Sequence, residues 1–295
     1  MSNYSGVMRQ HGKTFFWATW FLEKKTAGHL YAIYAFCRRI DDLIDNAPAG
    51  DGFYEDFYSI ANAWEKDKFS GAFDEFKGMK KSILPREAII REFLKGQASD
   101  IAYNQPKNID ELLVYCYQVA GAVGLMICDV IGIKDHQLKY FAIDLGVAMQ
   151  LTNICRDIRE DAGIERIYLP KNMINLPLEK FKNPSNSDAR KIDSARNLLL
   201  SHADDYYESG KKGIMHLPPK TARAVMIAAK LYQAIGGKIT SNKIPYQSSR
   251  VYLNKAEKIL ITIKVLLQWK KKKSIDNHNK DLHRPLAALP DAHIE

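Results

Sequence analysis

The sequence predicts an all-α protein, a bundle of helices packed around a central cavity. Apolar residues recur at helical spacing along almost the whole chain. No stretch alternates apolar and polar residues between turn dipeptides, as a half-buried strand would. The composition, 46% hydrophobic and 26% charged over 295 residues, is that of a soluble globular protein. Because no segment has the composition of an interdomain linker, we expect a single domain over residues 1–269.

Four helices are marked most clearly by their apolar pattern. They are predicted from Leu30 to Ile44, from Asp110 as N-cap to Gly132, from about Gln137 to Ala162, and from Thr221 to Ile235. The longest loops are expected at residues 46–52, 170–187 and 236–249. We therefore look for functional side chains on helix faces.

Composition restricts the cellular context and the class of partner. The net charge of +9 attracts anions, so nucleic acid, anionic lipid and phosphorylated substrates all fit it. No recognition-helix, zinc-finger or RNP-like pattern accompanies the charge, which argues against nucleic acid. The four cysteines stand singly, as reduced cytosolic thiols do, and neither a signal peptide nor an uninterrupted apolar span is visible. We expect a soluble cytoplasmic protein whose oligomeric state stays open.

The last 26 residues, 270–295, read as a polar and basic C-terminal tail that begins with Lys270–Lys273. One interpretation is a solvated helix end followed by a loose terminus. The other is a peripheral contact with the cytoplasmic face of the inner membrane, since each basic residue near an anionic surface contributes about 1 kcal/mol.

The first predicted helix carries carboxylates on its apolar face. Asp41 falls within the apolar stripe, Asp45 lies at its edge one turn later, and Arg38 stands beside them. Carboxylates on a buried face are costly unless they are paired or bind a metal. An ion pair of Arg38 with Asp41 or Asp42 and a binding site are both compatible with this pattern.

A second polar row lies in the otherwise apolar third helix. Its members are Gln150, Asn153, Asp157 and Asp161, and the last three are successive i, i+4 neighbours. Mg²⁺ prefers oxygen ligands and is held by one or two carboxylates together with substrate phosphates. Two such helices could hold a shared metal cluster and a diphosphate, with Lys13, Arg38 and Arg156 as cationic partners of the phosphate oxygens.

Small residues at Ala120, Gly121 and Gly124 share one predicted helix. Because glycine in a helix costs about 1 kcal/mol relative to alanine, something must approach this helix closely. A neighbouring helix and a slot for a long, thin apolar chain both fit.

These residues together resemble the squalene/phytoene synthase family. Arg38–Asp45 is similar to the first Asp-rich motif, and Gln150–Asp161, followed by Arg166–Pro170, is similar to the second. Tyr115–Gly121 matches the signature between them, and His11–Phe15 matches the N-terminal phosphate-contacting segment. The order and spacing agree from about His11 to Arg250, with one departure at Asn46, where many members carry an acid.

Within the family, four further segments are similar to bacterial phytoene synthases: Val123–Met126, Ala203–Tyr207, Ala229–Gly236 around Tyr232, and His283–Pro285. The resemblance then implies Mg²⁺-dependent, head-to-head condensation of two geranylgeranyl diphosphates to phytoene in carotenoid biosynthesis, through the cyclopropyl compound prephytoene diphosphate. It implies a terpenoid-synthase-like fold and no NAD(P)H, since no nicotinamide-binding glycine-rich turn is present.

The same resemblance assigns roles to residues. About three Mg²⁺ ions, for which Mn²⁺ can substitute, would be held by Asp41, Asp45, Asn153, Asp157 and Asp161. The four aspartates of this set and Tyr115 are the expected catalytic residues. Substrate is expected to bind at His11, Gly12, Lys13, Thr14, Tyr34, Arg38, Gln150, Arg156, Tyr232 and Arg250.

Two other functions remain open at the level of sequence. A sister enzyme that uses farnesyl diphosphate to make dehydrosqualene or presqualene diphosphate would share every metal-binding residue. A non-catalytic assembly factor of the same fold is the distant alternative, and the loss of a motif aspartate would indicate it.

Overall fold

The computed structural model describes residues 4–45, 74–101, 103–241, 243–269 and 277–293, with only the backbone described at Asp45. These residues form helices and turns and contain no strand, which confirms the predicted fold class. The helices are α1 (Tyr4–His11), α2 (Lys13–Thr19), α3 (Lys24–Asp45), α4 (Glu87–Ser99), α5 (Ile109–Cys116), α6 (Ala122–Ile131), α7 (His136–Gly163), α8 (Leu178–Lys182), α9 (Asn186–Ile214), α10 (Pro219–Ser241) and α11 (Lys255–Leu267). A π-helical turn, Tyr117–Gly121, joins α5 to α6.

The two longest helices, α7 and α9, form the most extensive helix–helix contact of the described fold. Leu145, Ala148 and Leu151 of α7 are buried in the same core as Leu199 and Ala203 of α9. α7 is buried on nearly all sides, as its apolar sequence predicts, and its bounds agree with the predicted helix to within one residue. The row of polar residues on α7 is therefore carried by a helix that is packed into the core of the described fold.

Helix ends follow their capping residues. The side chain of Asn108, and not of Asp110, caps α5 by accepting a hydrogen bond from the backbone of Glu111 at 2.9 Å. The prediction of Asp110 as N-cap is wrong because Asn108 stands three residues before that amide. α10 also continues to Ser241, beyond its predicted end near Gly236, since Gly236 packs against Leu200 in the core.

The small residues between α5 and α7 serve helix–helix contact. A methyl group at Gly124 would lie 2.5 Å from the carbonyl oxygen of Ala142, and one at Gly146 would lie 2.4 Å from that of Ala120. The segment Ile109–Ile131 is long and apolar enough to span a membrane, but half of its most apolar window is buried inside the protein. We conclude that close packing against α7 explains these glycines.

Part of the C-terminal tail packs onto the helices. His283, Leu286 and Ala292 are buried, and the hydroxyl of Tyr206 donates to the carbonyl of Leu282 at 2.6 Å. This packing over residues 277–293 differs from the expected loose terminus because the segment brings apolar side chains to the core. Lys270–Lys273 and the predicted loop at 46–52 lie outside the described residues.

Candidate active site

The first acidic row lies on α3. Arg38 Nη1 is 3.5 Å from Asp41 Oδ2, and the same guanidinium pairs with Asp42 one turn along the helix. The Asp41 side chain is 44% exposed, so the expectation that it faces the buried side of the helix is wrong. Ile40 and Ile44 hold the buried face, while Asp41 sits at the solvent-accessible edge beside it. The side chain of Asp45 and the residue Asn46 are outside the described part.

The second row, on α7, is paired with arginines. Arg156 Nε donates to Asp157 Oδ1 at 2.7 Å, and Arg250 Nη2 donates to Asp157 Oδ2 at 2.8 Å. Asn153 Nδ2 donates to Gln150 Oε1 at 3.3 Å, yet the Asn153 carbonyl oxygen is buried with no hydrogen-bond partner in the described protein. Such an acceptor is costly to bury unless a cation or a donor reaches it.

Asp161, at the end of this row, is a carboxyl group held in an unfavourable environment. Burial raises its pKa to about 8, with the negative charges of Asp157 and Asp100 adding to the shift and the guanidinium of Arg166 opposing it. A divalent cation placed here would restore the carboxylate form. This end of α7 therefore favours a positive ligand.

Aromatic side chains connect the two rows. The ring centroid of Phe15 on α2 lies 4.8 Å from that of Tyr232 on α10 and 6.4 Å from that of Tyr34 on α3. Burial raises the pKa of Tyr34, with a contribution from Tyr232, and burial likewise raises the pKa of Tyr232, which the Arg156 charge partly offsets. Tyr34 therefore adjoins Arg38 and Asp41 of the α3 row, and Tyr232 adjoins Arg156 and Asp157 of the α7 row.

The break between α1 and α2 lets this aromatic cluster close. A methyl group at Gly12 would lie 2.8 Å from the Tyr34 ring, so a larger residue would displace that ring. The side chains of His11 and Lys13 are exposed and that of Thr14 is half-buried. Within the described residues, none of these three side chains makes a hydrogen bond or an ion pair with the aspartate rows.

Tyr115 is fixed by a residue outside the predicted motifs. Its hydroxyl donates to Asp100 Oδ2 at 2.9 Å, while Tyr168 donates to Asp100 Oδ1 at 2.8 Å and stacks on Tyr115 with ring centroids 5.0 Å apart. Burial raises the pKa of Tyr115, so its phenol stays protonated. The negative charge of Asp100 also contributes to the raised pKa of Asp161, so Asp100 lies near both Tyr115 and the end of the α7 row.

Sequence reasoning missed Asp100, and it quoted Phe15 and Tyr168 within motif segments without assigning them a role. Tyr168 lies in Arg166–Pro170, the segment that closes the second Asp-rich motif, so its position was a usable signal. Asp100 follows α4, where no pattern connects it to a tyrosine 15 residues away. Only the packing of α4 against the π-helical turn brings the two together.

The donor set of the two rows fits a hard divalent cation. Asp41, Asp157 and Asp161 offer carboxylate oxygens, and Asn153 offers the unpartnered amide oxygen. Within the described residues, the group of three His, Cys, Asp or Glu ligands close enough to share one ion is elsewhere, at Asp144, His278 and His283.

That second cluster is a hydrogen-bonded clamp. His278 Nε2 and His283 Nε2 each lie 2.8 Å from a different oxygen of Asp144, and Ser209 Oγ donates to Asp144 at 2.6 Å. Asp144 and Asp161 are 17 residues apart on α7, or about 25 Å at 1.5 Å per residue. The clamp fastens the C-terminal segment to α7, far from the aspartate rows.

Comparison with known proteins gives a consistent family. The family model described as squalene/phytoene synthase matches residues 8–257. The chain is 32% identical over 275 residues to a 15-cis-phytoene synthase of Enterobacter agglomerans, which covers 87% of this chain and 91% of the relative. It is 33% identical over 279 residues to a phytoene synthase of Pseudescherichia vulneris, covering 86% of each.

Solved structures agree with the fold. A dehydrosqualene synthase in complex with a ligand superposes with a TM-score of 0.78 and 25% identity, covering 90% of this chain and 95% of that one. A squalene synthase from Alicyclobacillus acidocaldarius superposes with a TM-score of 0.67 at 20% identity, covering 81% and 94%, which supports the fold alone. The chain therefore belongs to the squalene/phytoene synthase family, as a prenyltransferase of the phytoene synthase type.

Proposed function

We propose that this protein condenses two geranylgeranyl diphosphates head to head to phytoene, through prephytoene diphosphate, as a step of carotenoid biosynthesis. The observation that carries the proposal is the aromatic cluster of Phe15, Tyr34 and Tyr232, in which Tyr34 adjoins the α3 row and Tyr232 adjoins the α7 row. Carboxylates and arginines of both rows therefore lie beside aromatic rings. An anionic headgroup and an apolar chain can therefore be bound side by side.

The metal-binding residues are proposed to be Asp41 and Asp45 on α3 and Asn153, Asp157 and Asp161 on α7. The buried, unpartnered oxygen of Asn153 and the desolvated carboxyl of Asp161 support this assignment. When bound, about three Mg²⁺ or Mn²⁺ ions supply Lewis-acid neutralisation of the diphosphate charge. Arg38, Arg156 and Arg250 add guanidinium groups that match phosphate oxygens bidentately.

The chemistry proposed consists of two ionisations. In the first, the allylic C–O bond of one substrate breaks, diphosphate leaves, and the double bond of the second substrate attacks the carbocation. Loss of a proton closes the cyclopropane ring. In the second, the remaining diphosphate leaves, the carbon skeleton rearranges, and loss of another proton gives the hydrocarbon without any reductant.

Protein side chains shape these steps. The faces of Phe15, Tyr34 and Tyr232 can stabilise a nearby carbocation and exclude water from it. Asp100 fixes Tyr115 as a neutral phenol at the Asp161 end of the site. The ion pairs of Arg156 and Arg250 with Asp157 support a role for these arginines in binding the leaving diphosphate.

A farnesyl-using enzyme is the second candidate. The similarity to a dehydrosqualene synthase structure, with a TM-score of 0.78, favours it. Both substrates carry the same headgroup, so the two rows bind either one. Chain length depends on the depth of the apolar space behind them.

The test is a product assay on purified protein with Mg²⁺, in which each diphosphate is offered separately, with and without EDTA. The proposal predicts a C40 hydrocarbon from geranylgeranyl diphosphate that disappears with EDTA. A C30 product alone would assign the protein to the farnesyl branch. No product from either substrate would contradict the enzymatic proposal and favour a scaffold role.

We also propose a cytoplasmic location with a peripheral contact at the inner membrane surface. The basic run Lys270–Lys273, which begins three residues after the end of α11 in the sequence, supports such a contact. Deleting the residues after Trp269 would also remove the clamp at Asp144, so the cleaner test replaces the four lysines with glutamine. This change should weaken binding to anionic vesicles, and unchanged binding would exclude the run as the contact.

A further inference from the structure

We propose that the outer face of α11, together with Trp20, is a docking surface for an anionic lipid bilayer. α11 (Lys255–Leu267) leaves five large apolar side chains exposed: Ile259, Leu260, Ile263, Leu266 and Leu267. Leu260 is 65% exposed and Leu267 is 81% exposed. This surface is separate from the aspartate rows, and the inference does not depend on the proposed reaction.

The five residues form one continuous stripe. Counting from Ile259, they stand at positions 0, 1, 4, 7 and 8, which at 100° per residue cover an arc of about 120°. The other side of the helix packs against the protein, and Thr262 and Val265 on that side are buried. Contiguous apolar surface of this kind on a folded domain indicates an interaction site.

Trp20 extends the stripe sideways. Trp17 Nε1 donates to Thr262 Oγ1 at 3.1 Å, and the Trp17 and Trp20 rings lie 5.0 Å apart. Trp20 is therefore next to α11, and it is 64% exposed. Exposed tryptophan beside an apolar helix face is typical of groups that lie at the headgroup level of a bilayer.

The charges around the stripe select the occupant. On the helical projection, Lys255 lies at one edge of the stripe and Lys264 at the other. The single acidic residue of α11, Glu257, is paired with Lys238 at 2.7 Å. An apolar stripe between two lysines has the pattern of an interfacial helix on an anionic membrane. A second copy of this chain would bring lysine edges against each other, which is unfavourable.

The test uses the full chain and sedimentation with two kinds of vesicle, phosphatidylcholine alone and an equimolar mixture with phosphatidylglycerol. We expect wild-type protein to bind the mixed vesicles, and the double variant Leu260→Gln/Leu267→Gln to bind at least tenfold more weakly. Lys255→Gln/Lys264→Gln should reduce binding to the mixed vesicles and flatten its salt dependence. Leu198→Gln, at an exposed leucine on α9, is the matched control and should bind as wild type.

Circular dichroism and thermal unfolding of each variant show that the loss of binding is not a loss of fold. Equal binding by wild type and the Leu260/Leu267 variant would overturn the proposal, even if replacing Lys270–Lys273 abolished it. Absence of wild-type binding to both vesicles would also overturn it. A wild-type dimer that the leucine substitutions convert to a monomer, without vesicle binding, would assign the face to a second copy instead.

Discussion

Asp157 is the carboxylate that interacts with most of the charged groups described in the α7 row. It accepts hydrogen bonds from Arg156 and Arg250, and it raises the pKa of Asp161 one turn further along α7. A single side chain thus links the guanidinium groups to the desolvated carboxyl. Removing the charge of Asp157 would therefore affect both the two arginines and the pKa of Asp161.

Asp157→Asn is expected to lower turnover at least about 100-fold while the protein stays folded, because the neutral amide neither binds a metal strongly nor holds two guanidinium groups. Product formation and thermal unfolding are measured on the same preparation. Asp281→Asn is the matched control, since Asp281 forms an exposed ion pair with Arg284 and should keep full activity. Turnover by Asp157→Asn close to the wild-type rate would exclude Asp157 from the catalytic site.

Asp100 is a positioning residue for Tyr115. Tyr115 and Tyr168 donate to the two carboxylate oxygens of Asp100, and asparagine would keep only one oxygen that can accept. We therefore expect Asp100→Asn to lower kcat about tenfold. Adding Tyr115→Phe to this variant should then cost little more than Asp100→Asn alone. Independent, multiplicative losses in the double-mutant cycle would show that Asp100 does not act through Tyr115.

For individual residues, helical periodicity in the sequence predicted which polar side chains share one face of a helix. Gln150, Asn153, Asp157 and Asp161 follow from the register of α7, and the structure keeps them in one row. The exposure of Asp41 and the contact of Asp100 with Tyr115 did not follow, because both depend on which elements pack over them. The assignment of metal and substrate residues stays a prediction until the variants are measured.

Helix–helix contact sets the spacing of the site's supporting elements. Gly124 and Gly146 let α6, the π-helical turn and α7 approach until backbone meets backbone. π-helical turns are found frequently at functional sites, and this one begins two residues after Tyr115. The close contact therefore fixes Tyr115 relative to the α7 row.

Gly146→Ala should lower the free energy of unfolding by about 1–3 kcal/mol, since its methyl group would lie 2.4 Å from the Ala120 carbonyl oxygen. Gly237→Ala should instead raise the free energy of unfolding by about 0.5–1 kcal/mol, because a methyl group at this position on α10 would lie in open space. Urea unfolding of both variants and of the wild type measures these two changes in the free energy of unfolding. Equal effects of the same sign would contradict the packing account.

The sequence predicted the location of α7 well because a long, continuously apolar helix has few alternatives. It placed the end of α10 too early, since Gly236 reads as a stop signal until its packing against Leu200 is known. The N-cap of α5 was misassigned for a similar reason, as both Asn108 and Asp110 are good capping residues. In both cases, contacts and hydrogen bonds in the folded protein determine where the helix begins or ends.

For the molecule as a whole, the C-terminal segment is joined to the bundle through the Asp144 clamp. Burial by itself raises the pKa of Asp144, but the hydrogen bonds from His278 and His283 outweigh it and hold the pKa below its ordinary value. A carboxyl group whose pKa is lower in the folded state stabilises the fold above its unfolded pKa, near 4, and loses that contribution as the pH falls further.

We therefore expect part of the acid sensitivity of folding to come from Asp144. The urea midpoint of the wild type should fall more steeply between about pH 4 and pH 2 than that of Asp144→Asn. The variant is also expected to be less stable at pH 7, because an amide cannot accept from both imidazoles. Parallel pH profiles for the two proteins would show that the clamp does not contribute in this range.

The central claim is that aspartates on two different helices form one site for metal and diphosphate. Calorimetric titration of inorganic diphosphate in the presence of Mg²⁺ into wild type, Asp41→Asn, Asp157→Asn and Asp281→Asn tests it most directly. We predict that wild type and Asp281→Asn bind with equal affinity, and that Asp41→Asn and Asp157→Asn each bind at least about tenfold more weakly. Wild-type affinity in either site variant would contradict the claim that α3 and α7 act together.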